Sequence, residues 1–138
     1  MAGKKETWIL EIGPYTVEPA EEVALPPIMG KGTLDFLSVT FDSQTDLRLL
    51  IRRDKTKPFI TLTDYLRPNL LHDLVGLTAP DKIYCHVWDT TNNNYGVTIS
   101  HPIEFETELK ISFLNKDPTT ERTVKRGIYI YTLEEPQF

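Results

Sequence analysis

The sequence predicts an all-β fold: a single-domain antiparallel β-sandwich with little helix. Two observations carry that expectation. Between Ile103 and Phe113, residues Ile103, Phe105, Thr107, Leu109, Ile111 and Phe113 share one parity, while Glu104, Glu106, Glu108, Lys110 and Ser112 share the other. Successive strand side chains point to opposite faces, so this stretch offers one apolar and one polar face; a helix would scatter both sets. The rest of the chain holds about eight such short runs, separated by turn residues at the spacing of a sandwich or barrel. With 138 residues it is long enough to enclose a real core.

Thr7 to Ile12 reads as a first strand, ended by Gly13-Pro14. Residues 14 to 30 carry Pro14, Pro19, Pro26 and Pro27, which suits an extended arm or an edge strand and excludes a central strand or a helix. After the Gly30-Lys31-Gly32 turn, Leu34 to Phe41 puts Leu37, Val39 and Phe41 on one face. Beyond the Asp42–Asp46 loop, Leu47, Leu49 and Ile51 alternate with Arg48, Leu50 and Arg52, and the two runs read as an antiparallel pair. Phe59 to Leu62 is a further strand candidate. Short helical turns are expected from Thr63 or Asp64 to Leu66, and over Leu70 to Leu77. Ile83 to Trp88 and Tyr95 to Ser100 read as a hairpin around Asp89–Asn94. Ile103 to Asn115 reads as one long or bulged strand, the alternative being two strands broken near Thr107, where no turn residue stands. Val124 to Leu133 is the last strand, with Ile128 and Ile130 opposite Tyr129 and Tyr131. The division is then an N-terminal strand and Pro-rich arm (1–30), a sandwich or jelly-roll-like barrel (31–133) and a short tail (134–138).

The balance of 15 basic against 20 acidic residues gives a net charge of −5, with no basic tract, which argues against nucleic-acid partners. No apolar run reaches the roughly 20 residues of a membrane span, and the first residues have no apolar signal core, so neither a membrane partner nor Sec-type export is expected. Cys85 is the single cysteine, which fits a reducing cytoplasm and excludes an intrachain disulfide.

Each candidate for chemistry has a plainer explanation. His72, His86 and His101 lie in different segments, and a metal site would need them to converge. Cys85 alternates with Val87 in a strand, which suits a buried inert thiol more than a nucleophile. Glu104, Glu106 and Glu108 on one strand face resemble paired acid–base carboxylates, but a solvated face explains them. The oxygen-rich Asp89–Asn94 loop lacks the EF-hand order, and a hairpin accounts for it. Trp88, Tyr84, Tyr95, Tyr129 and Tyr131 could stack on a sugar, or serve as ordinary core and interface aromatics. There is no Gly-rich phosphate loop, nucleophile elbow, metalloprotease helix or Cys-pair zinc pattern. No enzyme activity, metal or cofactor is expected.

The run Gly-Thr-Leu-Asp-Phe-Leu-Ser-Val-Thr-Phe-Asp-Ser at 32–43, followed by Leu-Arg-Leu-Leu-Ile-Arg-Arg-Asp at 47–54, resembles the small jelly-roll proteins of tailed bacteriophage particles. The back half, from Tyr95 to Asn115, is similar to such modules. Size, the Pro-rich segment and the tail resemble capsid decoration, or cement, proteins most. The resemblance implies a non-catalytic structural virion protein, commonly a homotrimer, made in the host cytoplasm and bound on the capsid exterior to the major capsid protein. Tail and baseplate proteins share this likeness, so the station in the virion stays open. The alternative is a carbohydrate- or receptor-binding β-sandwich. Interface residues expected on the first reading are Val17, Val23, Leu25, Ile28 and Met29 of the arm, and Tyr129 and Tyr131 of the two-sided last strand.

Overall fold

The computed structural model describes residues 5–54 and 83–134. The expected strand at 59–62, the helical turns between 63 and 77, His72 and the tail beyond Glu134 fall outside the described residues. The described residues form eleven strands: β1 (Lys5–Ile12), β2 (Tyr15–Val17), β3 (Glu22–Ala24), β4 (Ile28–Met29), β5 (Gly32–Phe41), β6 (Leu47–Arg53), β7 (Ile83–Asp89), β8 (Asn94–Ile99), β9 (Ile103–Phe105), β10 (Glu108–Asn115) and β11 (Arg122–Glu134).

They form two antiparallel sheets packed as a sandwich. The larger runs β1-β11-β5-β8-β7, with β2 added beside β11 and β9 beside β5. The smaller centres on β10, flanked by β6 on one side and by β3 and β4 on the other. The fold is the expected all-β sandwich rather than a closed barrel: among the described residues β1 and β7 end the larger sheet as open edges. The core between the sheets collects Leu34, Leu37, Val39 and Phe41 of β5, Leu47, Leu49 and Ile51 of β6, Val97 and Ile99 of β8, and Leu109, Ile111 and Phe113 of β10. Phe41 meets Phe113 edge to face across the two sheets, at 5.9 Å between ring centroids. A bulge between Asp35 and Phe36 shifts the parity of β5, so Leu34 and Leu37 both point inward.

Three sequence expectations change. The β5 and β6 runs are not a hairpin pair. β5 lies between β11 and β8, whereas β6 pairs β10 in the other sheet. The Asp42–Asp46 loop therefore crosses between sheets, fixed by the Ser43 hydroxyl, which accepts the Thr45 and Asp46 amides at 3.3 and 2.8 Å.

The 103–115 stretch is likewise not one strand. β9 pairs β5 and β10 pairs β6, so the chain changes sheet at Glu106–Thr107. The bend needs no glycine or proline because Asp54 builds it from outside. Its carboxylate accepts the amides of Glu106, Thr107 and Glu108 at 2.8–3.3 Å, and the Thr107 hydroxyl at 3.1 Å. Leu109, Ile111 and Phe113 are buried together and Lys110 is exposed, as the alternation predicts, but Glu108 is buried. As the first residue of a central strand, Glu108 lies against Met29, and its carbonyl accepts the Asp54 amide.

Finally, the Pro-rich segment is an edge strand of this chain's own sandwich rather than a free arm. β3 and β4 lie along β10, and the Leu25 amide between them still reaches the Ile111 carbonyl at 2.8 Å. Pro26-Pro27 splits this edge strand in two, which is tolerated where one side of the strand has no ladder to feed.

Candidate functional site: an open sheet edge

Among the described residues the candidate catalytic groups do not converge. Among the described residues no group of three or more His, Cys, Asp or Glu side chains is placed to hold a metal ion. Glu104 sits on β9 in the larger sheet, Glu106 in the bend and Glu108 on β10 in the smaller sheet, so they share no face. Glu106 is exposed and ion-pairs loosely with Lys31 at 3.9 Å. Cys85 is half-buried. Burial pushes its thiol pKa up, and the thiol donates a hydrogen bond to the Val87 carbonyl at 3.2 Å, so it stays a protonated, poor nucleophile. His86 lies over Gly96, where an added Cβ would meet its ring, and its Nδ1 bonds the Thr98 hydroxyl at 2.7 Å. Partial burial lowers its pKa. The Asp89 loop is a turn: Asp89 Oδ1 accepts the Thr91 and Asn92 amides, and Asn93 takes the left-handed backbone at φ 49°.

A groove of about 710 Å³ opens on the outer face of the larger sheet, between the Gly13-Pro14 turn and β11. Glu11, Lys125 and Arg126 bring charges of both signs to it, and Lys125 is engaged by the Asn92 carbonyl at 3.1 Å. It contains no pairing of a nucleophile with a base.

The expected aromatic platform divides. Trp88 and Tyr95 meet edge to face at 4.9 Å at the β7–β8 end. Tyr129 and Tyr131 stack at 6.0 Å near the opposite edge, and there they gain a neighbour that the sequence reading passed over. Trp8 of β1 stacks on Tyr131 with ring centroids 6.4 Å apart and planes 13° from parallel.

The expected interface residues separate in the same way. Val17, Leu25, Ile28 and Tyr129 are buried in the chain's own core and are not free to meet another subunit. Leu25 and Ile28 are buried by the folding-back of the edge strand, Val17 by the pairing of β2 with β11, and Tyr129 by facing inward beside Leu37. Val23 and Tyr131 pack partly against the core, and Met29 remains 59% exposed.

What stands open is β1. Seven of its eight residues are exposed. Among the described residues it pairs with β11 on one side only. Register places Trp8 opposite Tyr131 and Leu10 opposite Tyr129 on the core-side face, and Ile9 opposite Ile130, itself opposite Phe36, on the outer face. Trp8, Ile9 and Leu10 are thus large apolar side chains on both faces of an unpaired edge, with Ile9 64% exposed. Such edges are templates for another strand, and folded proteins normally blunt them with proline, charge or a bulge. The signal was legible as Trp8-Ile9-Leu10, where Ile9 breaks the polar parity of Lys5, Thr7 and Glu11, but the Pro-rich segment drew the interface expectation instead. No known protein family and no curated protein matches this chain.

Proposed function

We propose that this chain is a non-catalytic assembly protein: a structural β-sandwich of a tailed-bacteriophage particle, of the capsid-decoration kind, acting as a homo-oligomer on the major capsid lattice. The observation that carries the assembly part is β1, an edge strand that exposes Trp8 and Leu10 on one face and Ile9 on the other and has one free side among the described residues. A lone soluble domain gains nothing from leaving Trp8, Ile9 and Leu10 in water, whereas a protein that must join others uses such a surface. The chemical side of the molecule agrees, because Asp54 and Asp89 commit their carboxylates to a bend and a turn. The virion setting rests on the resemblance of residues 32–54 and 95–115. Self-association is what the exposed surface supports, rather than a particular number of copies.

The test is to remove the gene from its source genome and examine the particles. Heads lacking the protein should lose integrity at lower temperature, and adding the purified chain should bind to them and restore it, since a ligand that binds only the assembled state stabilises that state. Heads of unchanged stability that do not take up the protein would overturn the reading.

One observation favours the second reading. The Trp8–Tyr131–Tyr129 ladder presents a half-exposed indole, the kind of surface on which a sugar ring stacks. Quenching of Trp8 fluorescence by oligosaccharides, with the chain monomeric, would replace assembly with glycan recognition.

A further inference from the structure

We propose that β1 is completed by a second copy of itself, antiparallel across a twofold axis centred on Trp8, so that the two larger sheets become one continuous sheet. The inference deepens the assembly reading above and rests on it, naming the partner and the register.

Face parity and charge single out the register. In an antiparallel pair, opposed residues share a face. Trp8, Leu10 and Ile12 lie on the core-side face of β1, and Lys5, Thr7, Ile9 and Glu11 on the outer face, because Ile12 is buried in the core and the strand alternates. A twofold axis normal to the sheet must therefore oppose even residues to even and odd to odd. Centred on Trp8, the pairing brings Lys5 opposite Glu11 of the second copy, Thr7 opposite Ile9, Glu6 opposite Leu10, and Trp8 opposite itself. The twofold axis doubles the Lys5–Glu11 contact, giving two opposite-charge pairs on one face. Moving the axis to Ile9 sets Lys5 against Gly13, just past the end of the strand, and Glu11 against Thr7. On the core-side face the Trp8-centred register continues the Tyr129–Tyr131–Trp8 stack into its symmetry copy.

The other open edge fits less well. β7 carries a register irregularity between Tyr84 and Val87, and runs in the same direction as β1 in a sheet whose neighbours all alternate. Joining β1 to β7 of the next copy in a ring would make a parallel contact to a bulged strand, a poorer ladder. The β1–β1 contact yields even numbers of chains, in place of the trimer that the resemblance implied.

Charge reversal with sedimentation equilibrium tests this. Lys5→Glu and Glu11→Lys should each weaken the dimer about tenfold, by turning two attractive pairs into two repulsive ones. Mixing the two variants should restore wild-type affinity, because the heterodimer regains both pairs. In a Cys85→Ser background, Trp8→Cys should form an interchain disulfide on mild oxidation, while Ile9→Cys should not. Single variants that dimerise like the wild type, a mixture that regains nothing, or a crosslink at Ile9 instead of Trp8 would each overturn the proposal. A chain that still associates under those results keeps the assembly reading and loses this interface; a chain that is monomeric throughout and binds no particle loses both.

Discussion

Asp54 is buried at φ 58°, in the left-handed region that side chains seldom enter, and its carboxylate organises the backbone of a bend more than fifty residues away. Burial opposes its ionisation, but the amides of Thr107, Glu108 and Glu106 and the Thr107 hydroxyl outweigh burial and hold the carboxyl below its usual pKa. A carboxylate with a folded pKa below its unfolded value of about 3.9 stabilises the fold in full above that pH, and the contribution fades as pH falls below it. Asp54→Asn should therefore lower stability by roughly 3 kcal/mol at neutral pH, with the gap to wild type narrowing by pH 3, in paired urea titrations. An unchanged gap between the two pH values would remove the charged form from the account. Asn115 is the second such residue. Fully buried, it donates to the Val17 and Thr120 carbonyls at 3.0 and 2.9 Å and accepts the Asp117 amide at 2.9 Å. Asn115→Leu should cost roughly 2–4 kcal/mol in thermal unfolding, because buried partners are left without a bond. Neither role was legible in the sequence. An Asp after a strand and an Asn before a turn are ordinary loop residues until the tertiary contact is known.

At the scale of elements, period-2 alternation located β5, β6, β8, β10 and β11, because each buries one face against the opposite sheet. Phe113→Ala should cost about 3–5 kcal/mol, the range for a buried aromatic, and Lys110→Ala close to nothing. Equal effects in the two variants would contradict the assigned faces of β10. Strand partners were legible for the β7–β8 hairpin but not for β5 and β6. The Asp42–Asp46 loop is short enough for a hairpin, yet the two strands it joins belong to different sheets, since apolar faces are satisfied equally by lateral pairing or by packing across the core. The prolines of segment 14–30 correctly excluded a central strand, but the same composition suits an edge strand and a free arm. The core decides, through Val17, Leu25 and Ile28. Deleting residues 1–27 should consequently unfold the domain, as it removes Ile12, Val17 and Leu25 from the core; deleting 1–10 should leave a cooperative thermal transition.

For the whole molecule, the sandwich follows from patterning, while its outward relations rest on one strand whose pattern broke the rule. In β1 the exposed Ile9 interrupts an otherwise polar outer face, and among the described residues β1 is an edge that the larger sheet leaves open. The account's central claim is that this edge is a joining surface. Hydrogen exchange of the 5–12 peptide, followed by mass spectrometry across a hundredfold range of protein concentration, tests it most directly. Amides on an unpaired edge exchange quickly, and pairing with another strand protects them. Protection of β1 should rise with concentration while that of the internal strand β5 stays constant. Equal, low protection of β1 at every concentration, in a chain that stays folded, would contradict the claim.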